Sequence, residues 1–583
     1  MMKHYIYNKV CAIALAGLAL TACSDDFLDK SPNERVEITT VDQVIQLLST
    51  AYMTGNYGWI CEISSDNIVD INAPYMATQS NGSEVLVRYN LNSYDRMDDE
   101  LYKFEPVRSS TGSDSPSEVW EGCYNAIATA NHAIALLDEF KAANNGEETD
   151  QMRAAYGEAY LTRAYHHFIL VNIFSQAYKN EEASRQDAGI PYCTDPEDKV
   201  MVDYPRGSVT ETYQKIEKDL LAGLDRVNDV IYQMPKWHFN QKAAHAFAAR
   251  FYLYKRDYEK VIEHANAVLG TDRDALPTML MDYSRFDEAT RSTDYAEIWQ
   301  GPKEPNNLLL IATYSRQWRR SVGYRYATAG RALRDIMFHL GPNWRWYLMP
   351  CAGVGGETFW DGTNDHGYMS SRIAERFEYS DKVAGIGYAH VIRRELTCNE
   401  LLLNRAEAYL LGRHDVKEAL ADMLAFDNSR WSFSESNKAF YTEGGALSEL
   451  TEAKLLSWYK PTESNVKNHS NTLADWNFTQ NMSADFIITE DLVPYMNCLN
   501  DMRRYYTAWT GLRFFDVKRW GYEYEHHYGP DDEVFKLEWN SPNRAIEVPQ
   551  EVIGAGMETS RPQVAKQGGD SFSKSTDAVM KEQ

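Results

Sequence analysis

The chain has few cysteines, and none of them stands in a metal-binding or redox motif. Its eight cysteines among 583 residues are scattered, without a C-x-x-C spacing, so the sequence does not predict a zinc site. Disulfides remain possible, because their pairing cannot be read from spacing alone. We therefore expect neither a metal ion nor a cofactor.

The sequence also lacks an excess of positive charge. Lys and Arg number 59 against 84 Asp and Glu, which gives a net charge of −25 at pH 7. A chain this acidic repels a phosphate backbone, and no run of Lys and Arg offers a track for one. We therefore do not expect nucleic acid as a partner.

No apolar stretch reaches the 20 or so residues that a permanent membrane-spanning helix needs. The segment from Val10 to Leu20 is apolar or small and follows two lysines, as in a secretory signal. It ends in Leu20-Thr-Ala-Cys23, which resembles the lipobox of bacterial lipoproteins. Acyl chains on Cys23 would hold the protein on a membrane. We predict a signal peptide at residues 1–22 and a lipidated tether at residues 23–40.

Aromatic residues are abundant, at 13% of the chain, with 38 Tyr and 14 Trp. Most should pack inside, because Tyr and Trp combine a large apolar area with a polar tip. A minority could form a platform, since the apolar face of a sugar ring stacks on an aromatic ring. The composition is thus compatible with a sugar-binding surface.

Apolar residues recur at helical spacing over much of the chain. Residues 241–269 and 400–424 share one design, in which a helix, a tight turn and a second helix follow each other. Small Ala residues facing Tyr and Leu let paired helices pack closely, as in tetratricopeptide-like hairpins. Residues 151–227 are interpreted as a further, more divergent pair. Two helix starts are predicted, near Thr40 and at Ser208, where Glu211 completes a capping box.

Two long stretches, residues 55–117 and 271–388, lack this periodicity. Long irregular stretches in a compact protein tend to carry function. We therefore expect a mainly α fold of about four hairpins, with long loop insertions that form a ligand-binding face. The predicted helical domain spans residues 41–560, and a flexible tail follows at residues 561–583.

Five fragments carry a resemblance to a known family. They are Cys23-Ser-Asp-Asp-Phe-Leu-Asp-Lys-Ser-Pro32, Glu158-Ala-Tyr-Leu-Thr-Arg-Ala-Tyr165, Ala248-Ala-Arg-Phe-Tyr-Leu-Tyr254, Glu400-Leu-Leu-Leu-Asn-Arg-Ala-Glu-Ala-Tyr409 and Gly511-Leu-Arg-Phe-Phe-Asp-Val-Lys-Arg-Trp520. In their order along the chain they resemble the SusD/RagB family of outer-membrane nutrient-binding lipoproteins. In the last fragment Phe514 replaces the commoner Trp, and residues 543–549 match the family's C-terminal segment only loosely.

The resemblance implies a SusD-like fold and a partner, a SusC-like TonB-dependent barrel in the outer membrane. It implies a lipid-anchored lid facing the exterior, which captures oligosaccharides or peptides for import and catalyses no reaction. The family's ligand-contacting aromatics lie in variable loops, so the resemblance transfers no binding residue to this chain.

Candidate ligand residues therefore come from the irregular stretches. Alternating Trp and Arg could stack on sugars and donate hydrogen bonds to hydroxyls. The alternative is a core strand or a contact with the barrel. The candidates are Trp344, Arg345, Trp346, Tyr347, Trp360, Trp318, Tyr57, Trp59 and Tyr75, with Asp66 and Asn67 as hydrogen-bonding residues.

Catalytic motifs are missing from the sequence, with no G-x-S-x-G elbow and no H-E-x-x-H helix. A glycoside hydrolase needs only two suitably spaced carboxylates, which a sequence alone does not test. The leading hypothesis is non-catalytic glycan binding for a transporter. The alternatives are a peptide-binding lid of the same kind, a surface glycan hydrolase, and a purely structural assembly protein.

Overall fold

Helices provide most of the regular structure. The computed structural model describes residues 38–78, 82–108, 112–196, 205–321, 324–327, 370–429, 450–462 and 486–561. The α-helices of these ranges are α1 Val41–Leu48, α2 Gly58–Ile63, α3 Arg96–Tyr102, α4 Pro116–Ala143, α5 Asp150–Phe174, α6 Val209–Leu224, α7 Gln241–Lys255, α8 Tyr258–Leu269, α9 Ser292–Gln300, α10 Gln317–Arg320, α11 Cys398–Arg413, α12 Val416–Ser429, α13 Glu452–Tyr459, α14 Val493–Thr507, α15 Leu512–Trp520 and α16 Gln550–Gly554.

The predicted hairpins are confirmed. Helices α7 and α8 pack on each other, as do α11 and α12, and the more divergent pair is α5 with α6. Further pairs are α4 with α5 and α13 with α14. The first two hairpins turn in the same way, because α7 and α11 end in left-handed residues, Arg256 at φ 64° and His414 at φ 55°.

The predicted helix starts are also confirmed. Thr40 caps α1 in a capping box with Gln43, and Ser208 caps α6 in a capping box with Glu211. In both boxes a side chain accepts from a backbone N–H group that would otherwise lack a partner. Local sequence therefore sets where these helices begin.

Helices α5 and α6 cross closely at two glycines. A Cβ on Gly157 would lie 2.5 Å from the backbone nitrogen of Val227, and one on Gly223 would lie 2.6 Å from Cγ of Leu161. Only a residue without a side chain fits at either position without a shift of its neighbours.

Adjacent histidines of α5 join this helix to two different loops. The Nδ1 atom of His166 bonds the carbonyl of Thr162, and its Nε2 accepts from the backbone of Met53 at 3.0 Å. His167 bonds the carbonyl of Arg163 and accepts from the backbone of Cys193 at 3.1 Å. Burial lowers the pKa of His166 to about 4 and that of His167 to about 3, so both rings are neutral at pH 7.

Buried ion pairs tie the hairpins together. An Arg meets a carboxylate in each, usually through two parallel hydrogen bonds, and the arginines come from the fragments that carry the family resemblance. The pairs are Arg163 with Asp219, Arg250 with Glu400, Arg405 with Asp422, Arg513 with Asp66, and Arg519 with Glu407.

Most of the described strands lie in the two stretches that sequence reasoning left irregular. The strands are β1 Val69–Asp70, β2 Tyr75–Thr78, β3 Glu84–Val87, β4 Asn307–Tyr314, β5 Tyr326–Ala327, β6 Glu375–Asp381, β7 Ile386–Thr397, β8 Tyr524–Tyr528 and β9 Glu533–Leu537. A three-stranded antiparallel sheet has the order β4-β7-β6, and three two-stranded pairs join β1 to β5, β2 to β3 and β8 to β9. Of these strands, only the pair of β8 and β9 lies wholly outside both stretches.

Candidate functional site

The two irregular stretches meet on one side of the helical scaffold. Strand β1 pairs antiparallel with β5, although more than 250 residues separate them in the sequence. The contact continues beyond the strands, because Ile71 donates to the carbonyl of Arg325 at 2.9 Å and Arg325 donates to the carbonyl of Asn92 at 3.1 Å. The folded scaffold therefore brings the two predicted loop insertions together.

We call the surface at this junction the loop face and define it by Tyr94, Arg316, Trp318 and Tyr324. The rings of Tyr94 and Tyr324 meet edge to face, with centroids 4.9 Å apart at 88°. Tyr324 is 37% exposed, and Arg316 is exposed as well. A hydrogen bond with Tyr94 raises the pKa of Arg316. The loop face thus offers aromatic surface next to a cation.

Buried charges hold the loop face in place from below. The guanidinium of Arg320 lies 4.6 Å from the centre of the Tyr94 ring and 3.4 Å from the carboxylate of Asp98. Arg325 binds Asp70 through two hydrogen bonds of 2.9 and 2.6 Å. Both ion pairs span the two stretches, so they fix the position of one against the other.

The carboxyl group of Asp98 has an unusual pKa. Burial raises it to about 6, against the opposing effects of Arg320 and of the Trp59 indole, which donates to Asp98 at 2.7 Å. A carboxyl with such a pKa could act as an acid, but Asp98 is only 1% exposed. The same burial that shifts the pKa keeps the group away from a surface ligand.

Four of the candidate ligand residues lie in the interior, where each has a hydrogen-bond partner, and a ligand contact by any of them stays a prediction. Tyr57 donates to the carboxylate of Glu395, and Trp59 donates to Asp98. Asp66 accepts two hydrogen bonds of 2.7 Å from Arg513, and Asn67 accepts one of 2.8 Å from Arg504. All four are at most 4% exposed, and Asp66 and Asn67 join the segment after α2 to the C-terminal helices.

Two further candidates are half-buried. Tyr75 begins β2, where it pairs with Val87. Trp318 lies in α10, and its indole N–H has no hydrogen-bond partner among the residues that the structure describes. A ligand contact by either residue stays a prediction.

The remaining candidates lie outside the described residues. These are Trp344, Arg345, Trp346, Tyr347 and Trp360, together with the predicted lipidation site Cys23. Before this Trp-rich segment, the chain is last described at Ala327, which pairs with Val69 beside the loop face. The chain is described again from Ser370.

Sequence reasoning missed Tyr94, Arg316 and Tyr324. One signal could have found Tyr324, because Tyr324-Arg-Tyr326 repeats the aromatic, Arg, aromatic pattern that drew attention to Trp344-Arg-Trp346. Tyr94 has no such signal, since it is a single tyrosine among polar residues. Its role is visible only in its contact with Tyr324.

A second set of exposed aromatics lies on the hairpin of β6 and β7. Phe377 and Tyr379 are 51% and 52% exposed and meet edge to face at 4.9 Å. Tyr314 of β4 meets Tyr388 of β7 at 5.1 Å in the same geometry. The hairpin therefore presents a second aromatic surface, on the sheet that it forms with β4.

Comparison with known proteins relates this chain to one protein family. Residues 26–253 match the SusD-like protein family described as "Starch-binding associating with outer membrane". No curated protein matches the sequence significantly. Among the residues that the structure describes, no helix combines the length and the apolar character needed to cross a bilayer.

Solved structures of the SusD superfamily are similar over nearly the whole chain. One from Bacteroides thetaiotaomicron VPI-5482 has a TM-score of 0.53 and 15% identity, covering 90% of this chain and 100% of that one. One from Bacteroides vulgatus ATCC 8482 has a TM-score of 0.51 and 16% identity, with coverages of 90% and 100%. A SusD-like carbohydrate binding protein of the same strain has a TM-score of 0.52 and 13% identity, with coverages of 91% and 99%.

At such identities the likeness to solved structures establishes the fold, which is that of the SusD superfamily. Residues 26–253, less than half of the chain, also match the SusD-like family by sequence. The predicted resemblance and the predicted fold class are both confirmed.

Proposed function

We propose that this protein is a non-catalytic, glycan-binding lipoprotein that delivers its ligand to a SusC-like TonB-dependent barrel of the outer membrane. The family description, which names starch binding and association with the outer membrane, supports this proposal. A SusD-like protein of similar fold is described as carbohydrate binding. The lipobox-like sequence ending at Cys23 supports a lipid anchor.

The observation that carries the proposal is the loop face. The exposed ring of Tyr324 provides an apolar surface for a sugar ring, and the adjacent Arg316 can donate to hydroxyl oxygens. Such a site binds by stacking and hydrogen bonding, and neither Tyr nor Arg is placed there as an acid or base at neutral pH.

In this mechanism the glycan first rests on the loop face, with the Trp-rich segment between Ala327 and Ser370 as a proposed second contact. The tether that begins at Cys23 keeps the protein close to its transporter and raises the effective concentration of ligand at the barrel. The transporter, coupled to TonB, supplies the energy for passage.

The test is calorimetric titration of the full chain, purified in detergent, with starch, other polysaccharides and a peptide digest. We expect saturable binding of one glycan, without release of product over hours. Tyr94→Ala/Tyr324→Ala should weaken this binding at least tenfold, because it removes the stacking surface. Tyr379→Ala is the matched control, since it removes an exposed tyrosine of the β6–β7 hairpin.

Several results would contradict the proposal. Binding of the peptide digest alone would favour a peptide-binding lid, and accumulation of shorter sugars would show a hydrolase. An equal loss of glycan binding in Tyr379→Ala would indicate that the binding site lies on the β6–β7 hairpin instead. A parallel variant, Trp344→Ala/Trp346→Ala, tests the contribution predicted for the Trp-rich segment.

A further inference from the structure

A cavity of about 410 Å³ lies at the end of β4 that is distant from the loop face. We call it the lysine cavity and define it by six of its lining residues. Strand β4 has eight residues and a strand rises about 3.3 Å per residue, so its two ends lie roughly 23 Å apart. The six residues that define the lysine cavity are Lys236, Lys242, Met279, Asn307, Leu308 and Cys398.

The lining of the lysine cavity holds two cations, Lys236 and Lys242, against one carboxylate, Asp229. Lys236 is half-buried and donates to the neutral backbone carbonyl of Glu304, whose carboxylate binds Arg285 instead. Neither Lys236 nor Lys242 forms an ion pair with any residue of the described ranges. Burial lowers the pKa of Lys236 by more than the nearby carboxylate of Glu304 raises it, as expected for a half-buried ammonium group.

The remaining polar groups of the lining do not balance the two lysines. Asp229 accepts a hydrogen bond of 2.7 Å from the backbone of Gln241, and its single carboxylate offsets only one of the two. Burial raises the pKa of Cys398 to about 12, so its thiol is neutral at pH 7. A half-buried cation of this kind is stabilised when an anion enters the cavity.

A second, independent feature of the lining is the side chain of Asn307, which is completely buried. Its amide nitrogen donates to the carbonyls of Trp299 and Gly301 at 3.0 and 3.1 Å. Its oxygen has no partner among the residues described here, although a buried acceptor without a donor is costly. A hydroxyl group of a ligand could provide the missing donor.

Size and shape limit the ligand further. The volume lies within the roughly 300–1,000 Å³ typical of small-molecule sites. Met279 and Leu308 give the cavity an apolar wall beside the lysines. The ligand should therefore be a small molecule with a carboxylate, at least one hydroxyl and an apolar face.

We propose that the lysine cavity is a binding site for a small hydroxylated carboxylate, of which a uronic acid is a simple example. The carboxylate lies against Lys236 and Lys242, a hydroxyl donates to Asn307, and the apolar face packs on Met279 and Leu308. This site is separate from the loop face and does not depend on the function proposed for it.

The test is titration of the full chain with D-glucuronate, D-glucose and sodium sulfate. Glucose and glucuronate differ in the carboxylate, so we expect saturable binding of glucuronate and at least tenfold weaker binding of glucose. Sulfate carries charge without hydroxyl donors or an apolar face and should also bind at least tenfold more weakly. Equal binding of glucose, or of sulfate, would overturn the proposal.

Variants locate the site. Lys236→Met keeps the aliphatic chain and removes the charge, so it should weaken glucuronate binding at least tenfold. Lys218→Met makes the same change at an exposed position of α6 and should bind as the parent chain does. Met279→Trp fills the cavity while both lysines stay in place, and it should also abolish glucuronate binding. This variant therefore tests the proposal even if Lys236→Met fails to fold.

The two sites can be distinguished. Glucuronate binding should survive Tyr94→Ala/Tyr324→Ala, which alters only the loop face. Loss of binding in that variant, or unchanged binding in a folded Met279→Trp, would show that the lysine cavity is not the site.

Discussion

Replacing Asp66 by Asn should destabilise the protein strongly, because two buried guanidinium groups lose the carboxylate that they share. Asp66 accepts two hydrogen bonds from Arg513, and Arg504 lies 3.1 Å from the same carboxylate. All three residues are at most 4% exposed. Burial alone would raise the pKa of Asp66, but Arg504 and Arg513 lower it well below its ordinary value.

The expected loss follows from this geometry. Breaking a buried ion pair by removing one partner costs about 3–5 kcal/mol, because the other charge stays in the interior. Here two arginines share the carboxylate, so the loss should lie near the upper end of that range. Asparagine has nearly the same size as aspartate, so the measured loss of stability reflects the missing charge and not a newly formed cavity.

Urea unfolding followed by circular dichroism measures this loss. The matched control is Asp225→Asn, since Asp225 pairs with Arg153 at 2.9 Å while its side chain is 61% exposed. The control should change stability by less than about 1 kcal/mol. An Asp66→Asn midpoint equal to that of the parent chain would refute the reasoning. A folded variant that lost only glycan binding would indicate that Asp66 is a ligand residue.

Three further predictions concern other parts of the chain. His166 and His167 are neutral when folded, so the unfolded chain binds more protons below about pH 6.5. The stabilisation that the two neutral histidines provide should be fully present above that pH and should decrease as the pH falls towards 4. Urea unfolding midpoints across this range measure the decrease, which should be smaller in His167→Gln. Gly157→Ala should cost about 1–3 kcal/mol by thermal unfolding, because its Cβ meets the backbone of Val227, whereas Gly554→Ala, with open space around it, should not. Cys23→Ser should move the protein from the membrane to the soluble fraction and abolish labelling by a fatty-acid analogue; retention on the membrane would contradict lipidation of this cysteine.

The helical hairpins could be predicted because their signals are local. Thr40 and Ser208 cap helices whose first turns lie within three residues of them, and the turns after α7 and α11 follow directly from their apolar periodicity. Such patterns need no knowledge of the rest of the chain.

The loop face could not be predicted in the same way, since its contacts join distant parts of the chain. Strands β1 and β5 have two residues each, too few for any periodic signal. Asp66 and Asn67 follow serines and have the composition of an exposed loop, yet the partner of Asp66 is Arg513, 447 residues away. The local composition therefore does not show that Asp66 is buried, because its burial depends on an ion pair with Arg513.

The same contrast explains why sequence resemblance in this family carries the fold better than the ligand. In the fragments that revealed the resemblance, Arg163, Arg250 and Arg513 are buried and bind carboxylates of other helices or loops. Their charges stabilise the scaffold and are not available to a ligand. The exposed residues of the loop face, Arg316 and Tyr324, belong to none of those fragments. Chains of 13–16% identity share this fold, and we expect ligand choice to follow the loops. Replacing only Arg316 and Tyr324 by the residues at those positions of such a protein should thus change which glycan binds without a large change in stability, because the buried pairs of Arg320 and Arg325 stay intact.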